Sequence, residues 1–111
     1  MRAWPPERDD QATLARQRYE ATVHGRVQGV GFRWFVRSAA ARLNLVGWVA
    51  NEPSGSVRVV AEGEESDIAE LARVIAQGPA GASVERVAAE TSGATGTFRS
   101  FEIRYGGHSG D

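Results

Sequence analysis

His24-Gly25-Arg26-Val27-Gln28-Gly29-Val30-Gly31-Phe32-Arg33 is the stretch around which the chain is organised. An alternating, strand-like segment runs into it and a helix-like pattern runs out of it, with a glycine-rich turn between. The first turn of a helix carries backbone N–H groups without intrahelical partners and the positive end of the helix dipole, so an oxyanion placed there is stabilised without a metal. Gly29 and Gly31 have no Cβ, can take positive φ, and can turn successive N–H groups inward into a concave nest. Arg33 falls in the first helical turn, where its planar fork makes two parallel charge-assisted hydrogen bonds to a phosphate or carboxylate. A glycine turn before a helix also serves as a plain connection. The arginine that follows the glycines at once is what favours an anion site. Gln28, Gly29, Val30, Gly31, Phe32 and Arg33 are therefore the candidate phosphate-binding residues. There is no Gly-Lys-Ser/Thr, and the glycine spacing does not fit the dinucleotide fingerprint.

Upstream, Tyr19, Ala21 and Val23 alternate with Glu20, Thr22 and His24, the pattern of a half-buried strand in which His24 points away from the core. Downstream, Phe32, Phe35, Val36, Ala39, Ala40 and Leu43 follow the i, i+3, i+4, i+7 rhythm of an amphipathic helix, with Arg37 and Arg42 facing water. Trp34 falls off this stripe and is a candidate pocket wall. Asn44 is read as the helix stop, Leu45 to Glu52 as a strand, Pro53-Ser54-Gly55 as a turn, and Ser56 to Glu62 as the strand that completes a hairpin. Gly63-Glu64-Glu65-Ser66 is expected to lead into a second amphipathic helix, with Ser66 as N-cap, Ile68, Leu71, Ala72 and Ile75 on one face, and Gly78-Pro79 as the stop. Strands are expected at Ser83 to Glu90 and Thr97 to Tyr105, separated by a flexible turn from Thr91 to Gly96, with Phe101, Ile103 and Tyr105 pointing inward.

The order β-α-β-β-α-β, with a short further strand near the end, fits an α+β ferredoxin-like sandwich: two helices on one face of a mostly antiparallel sheet. Residues 1–17 read as a flexible N-terminal extension, 18–105 as the single domain, and 106–111 as a C-terminal tail. A helical turn around Ala12, Leu14 and Ala15 and a docked Trp4 are alternatives within the extension, and His108 is expected to be solvated.

Composition narrows the chemistry. At 111 residues the chain has room for one core. A net charge of −1 gives no broad field to gather nucleic acid or an anionic membrane, so selection of an anion has to be local. The absence of cysteine excludes thiolate catalysis, disulfides and iron–sulfur clusters, and two histidines are too few for a multi-histidine metal site. All thirteen basic residues are arginine, which excludes a lysine Schiff base within this chain. No apolar run approaches a membrane span, and the polar start has no signal-peptide core, so the expectation is a cytoplasmic protein.

The run from Gly25 to Arg33, followed by Leu45-Val46-Gly47-Trp48-Val49-Ala50-Asn51, resembles the signature of the acylphosphatase family, small enzymes that hydrolyse acyl phosphates. The resemblance extends from about Tyr19 to Tyr105. It implies that Arg33 binds the phosphate and that Asn51 positions the attacking water, with no metal and no cofactor. The family usually carries aspartate where Ser54 stands; serine also suits a turn. By the residues alone, Asn51 reads first as an asparagine closing a strand before a turn, and it is the resemblance that favours the catalytic role. An acyl phosphate releases a carboxylate whose conjugate acid has a pKa of about 4, so departure needs little help from a general acid.

The partners implied are a small-molecule acyl phosphate substrate and inorganic phosphate as product, acting on a monomer, with no nucleic acid and no membrane. The alternative is a non-catalytic anion- or RNA-binding module of the same architecture, because this fold hosts many functions. A third reading, a carbamoyl-phosphate-handling role of the kind such domains have within larger maturation proteins, is less economical than a free-standing hydrolase.

Overall fold

The computed structural model describes residues 16–105. Strands β1 (Arg16–Arg26), β2 (Val46–Asn51), β3 (Val57–Glu64), β4 (Ser83–Gly93) and β5 (Phe101–Arg104) alternate with helices α1 (Phe32–Arg42) and α2 (Glu65–Gln77). They form one sheet of order β4-β1-β3-β2-β5, antiparallel except for the β2–β5 pair. This is the ferredoxin-like arrangement expected from the order of elements. The readings of Trp4, of a turn at Ala12 to Ala15, of His108 and of residues 106–111 lie outside the described residues.

The alternation in β1 orders the sheet into rows. Tyr19 pairs with Ala61, Ala21 with Val59 and Val23 with Val57, while Val49 and Asn51 of β2 pair with Val59 and Val57. Residues paired directly across strands share a face, so these rows make up the inner side of the sheet. Against it α1 buries Phe32, Val36, Ala39 and Ala40, and α2 buries Ile68, Leu71, Val74 and Ile75. Each helix thus presents one stripe to one sheet face, the arrangement that removes most apolar surface from water. Asn44 stands at φ 59°, the left-handed conformation with which asparagine closes helices, and Gly78 ends α2 at φ 71°.

Several boundaries differ from the sequence-based expectation, among them the start of β5 at Phe101 rather than Thr97. β1 begins at Arg16, so Arg16 and Gln17 belong to the sheet rather than to an extension, because Glu64 and Gly63 of β3 stand opposite them. For the same reason Thr91 to Gly93 are strand rather than turn: Gly93 pairs with Gln17. Ser66 is not the N-cap of α2. β3 runs into the helix without a loop, Glu64 occupies the cap position in extended conformation, and the dipole is met by Glu65 and Asp67 in the first turn. Tyr105 does not continue the inward alternation of Phe101 and Ile103, since β5 ends at Arg104 and Tyr105 is 64% exposed.

The fifth strand requires a long crossing. β4 and β5 lie at opposite edges of the sheet, and residues 94–100 connect them. The connection is held by Glu62 of β3, whose side chain is 1% exposed. The Glu62 carboxylate accepts from Thr95 N–H (2.9 Å), Gly96 N–H (3.0 Å), Thr95 Oγ1 (2.7 Å) and Arg18 Nη1 (2.9 Å). A buried carboxylate with this many donors is satisfied. Burial alone would raise its pKa, but these donors outweigh burial and hold it down to about 2.

Candidate active site

β1 and β2 both run antiparallel to β3, so their C-terminal ends lie at the same end of the sheet. The loop of residues 27–31 leaves β1 at that end and feeds α1. Topology therefore brings the N-terminus of α1 and the last residue of β2, Asn51, to one place. Asn51 shares the parity of buried Val49 and sits in the row of Val23 and Val57, on the side of the sheet that carries the helices. Arg33, in the first turn of α1, stands above the same end. The fold thus unites two residues separated by 18 positions of sequence, the separation of their numbers (51 − 33).

The loop is anchored at three points. Val27 is 1% exposed and Phe32 2%, so both of its ends are buried in the core. Between them the Gln28 amide Nε2 donates to the carbonyls of Glu52 and Ser56, each at 2.9 Å, which ties the loop to the β2–β3 hairpin directly after Asn51. The hairpin is itself braced: Ser56 Oγ donates to the Glu52 carboxylate at 2.9 Å and lies 2.8 Å from Ser54 Oγ. Serine at position 54 therefore takes part in the turn through its hydroxyl. The Gln28 side chain is thereby committed to the hairpin, which leaves its backbone N–H as the group it can contribute to an anion site.

Between the anchors the backbone is left-handed at two glycines, the freedom that a nest requires. Gly29 and Gly31 have φ of 76° and 77°, and a Cβ at either would meet no atom within 4 Å. Open space at both positions means that conformation, not crowding, requires glycine there. The first backbone bond of α1 runs from Phe35 N–H to Gly31 O (3.0 Å). The N–H groups of Phe32, Arg33 and Trp34 precede it and have no intrahelical partner. Gly31 offers no side-chain cap, and the first turn of α1 holds no acidic residue, whereas that of α2 holds Glu65 and Asp67. The two helices thus differ: the N-terminus of α2 is met by its own carboxylates, and that of α1 has none in its first turn.

Arg33 is half-buried, with its guanidinium carbon 4.8 Å from the ring centroid of Tyr105. Among the described residues no carboxylate pairs with it. A cation resting on an aromatic face keeps its N–H donors available, which an ion pair would consume. Tyr105 is the neighbour of Arg33 that sequence reasoning does not reveal. Its signal was weak, since nothing local marks where a short edge strand ends and its alternation stops.

The molecule is a small α+β sandwich of the ferredoxin-like class, with a glycine turn, an arginine in the following helical turn and a strand-end asparagine at one end of its sheet. The comparisons with known proteins identify the family. The Acylphosphatase family model matches residues 19–103. An acylphosphatase of Salinibacter ruber is 45% identical over 92 residues, covering 83% of this chain and 97% of its own. One from Mesorhizobium japonicum is 51% identical over 83 residues, covering 72% and 88%. The crystal structure of acylphosphatase from Bacillus subtilis superposes with a TM-score of 0.78 at 35% identity, covering 80% of this chain and 99% of that one. The chain belongs to the acylphosphatase family.

Proposed function

We propose that this chain is an acylphosphatase that hydrolyses the carboxyl–phosphate bond with Arg33, Asn51 and the loop from Gln28 to Arg33 as its machinery. The phosphoryl oxygens lie in the nest, where N–H groups and the Arg33 guanidinium receive their charge. Asn51 orients a water through its side-chain amide. Being neutral, it takes no proton from that water. The water oxygen forms a bond to phosphorus as the bond from phosphorus to the acyl oxygen breaks, and the electron pair leaves on the carboxylate. One proton of the attacking water passes to a phosphate oxygen and the other stays on the oxygen now bound to phosphorus, giving dihydrogen phosphate and a carboxylate.

Phosphoryl transfer of this kind is governed by positioning and by stabilisation of charge on the equatorial oxygens, both of which a rigid nest beside an arginine supplies. The observation that carries the reading is the N-terminus of α1: free of carboxylates, opened by glycines of positive φ, and adjoining an arginine with no acidic partner among the described residues. The family supplies the reaction and the site supplies the means.

The test is hydrolysis of benzoyl phosphate by wild type and Arg33→Ala in the presence of chelator, alongside binding of inorganic phosphate. Wild type is expected to turn over, while the variant loses most activity and binds phosphate more weakly by about 1.5–3 kcal/mol for each charge-assisted bond removed. Phosphate binding without turnover in wild type would make this an anion-binding module on the same scaffold.

A further inference from the structure

Among the described residues the large apolar side chains that stand exposed are Trp34 at 58% and Tyr105 at 64%; Tyr105 lies under the Arg33 guanidinium, and Trp34 follows Arg33 in the first turn of α1. Exposed aromatics scattered singly require no explanation, but two associated with one helical turn do. They lie on different sides of it. Arg104 pairs with Ala50, so Tyr105 follows β5 alongside Asn51, on the sheet side of the site. Trp34 is off the buried stripe of α1, on its solvent side. Helical side chains lean toward the N-terminus, so the indole covers the turn preceding its own Cα, toward the rim of the nest at Gly31. The Arg37 guanidinium carbon lies 5.4 Å from the indole ring centroid, a contact that orients the ring.

In-line displacement places the entering water and the leaving group on opposite sides of phosphorus. With the water held by Asn51 on the sheet side, the acyl group leaves toward the solvent side of α1. We propose that Trp34 forms the acyl-group subsite, and that the enzyme favours substrates whose acyl group is aromatic or otherwise flat over those with a small one. This rests on the function proposed above. The indole supplies apolar area and a π-face at little conformational cost, while the phosphoryl end is bound as before. Trp34 is a specificity residue: it acts on binding of the acyl group and leaves the reacting atoms to Arg33 and Asn51.

The experiment measures kcat and KM for benzoyl phosphate and acetyl phosphate in wild type, Trp34→Ala and Trp34→Phe. In Trp34→Ala the ratio of kcat/KM for benzoyl over acetyl phosphate is expected to fall roughly tenfold, the scale of one aromatic contact. The fall should be carried by KM for benzoyl phosphate, because a contact made equally in ground and transition states changes KM alone. Trp34→Phe should restore most of the ratio. An unchanged ratio in Trp34→Ala, or an equal loss on both substrates, overturns the subsite while leaving the acylphosphatase reading intact. No turnover of either substrate by wild type overturns that reading and the subsite with it.

Discussion

In the mechanism proposed above Arg33 and Asn51 have separable duties, and the separation can be measured. Arg33 meets charge that is present in substrate, transition state and product alike, so its loss is felt in phosphate binding as well as in rate. Asn51 has no charge to offer the phosphate and acts on the water. Asn51→Ala is therefore expected to leave the affinity for inorganic phosphate within a factor of about two while turnover falls on the order of 100-fold, the usual scale for a lost preorganising group. Isothermal titration with phosphate and steady-state rates on one preparation give both numbers. Turnover close to wild type would remove Asn51 from the mechanism, and a matched loss of phosphate affinity would recast it as a ligand of the anion.

At the scale of elements, the decisive contact joins a loop to a hairpin. Gln28 bridges the glycine loop to the carbonyls of Glu52 and Ser56, so in the proposed mechanism the groups that hold phosphate and the residue that holds water are positioned by one side chain. Gln28→Leu preserves volume and removes the donors. Both carbonyls keep backbone partners, Gly55 N–H on Glu52 O and Glu52 N–H on Ser56 O, so the cost in stability is expected to be modest, about 1–2 kcal/mol. The cost in function is expected to be larger. Catalysis tolerates little misplacement, and kcat/KM should fall roughly tenfold or more. Chemical denaturation beside kinetics distinguishes the two; a variant with wild-type kcat/KM would show that Val27 and Phe32 alone hold the loop.

Across the whole molecule, Glu62 closes the sheet's far connection, and its charge links stability to pH. Its folded pKa, about 2, lies below its ordinary 4.5. The unfolded chain therefore binds a proton before the folded one does, and stability falls as pH drops from about 4.5 toward 2. Above that window the contribution is fully present; below it, it is gone. A shift of this size corresponds to roughly 3 kcal/mol for so deeply buried a group. Glu62→Gln keeps the shape and discards the charge. It should lower stability at pH 7 by an amount of that order and flatten the acid limb of a stability–pH curve measured by urea denaturation. An acid limb as steep as that of wild type would assign the sensitivity to other carboxylates.

The glycine loop, the stripe of α1, the hairpin turn and the order of elements were legible in the amino-acid sequence because each is a local matter: backbone freedom at Gly29 and Gly31, a 3.6-residue period from Phe32 to Leu43, alternation from Tyr19 to Val23. Periodicity also placed Asn51 at a strand end, and the family resemblance named its duty. What the chain could not show locally was pairing at a distance. Arg16 and Thr91 to Gly93 joined strands because partners stood opposite them, and Ser66 lost the cap because β3 ran straight into α2. Tyr105 came to rest on Arg33 because β5 ends beside β2, and Glu62 was buried by a connection 33 residues further along the chain. Sequence by itself determined which segments form elements and which faces they bury, since those follow from neighbours in the chain. The tertiary structure alone decided where strands end, what each charged side chain meets and how the nest is fixed to the hairpin, since these are interactions between segments that only the sheet order brings together.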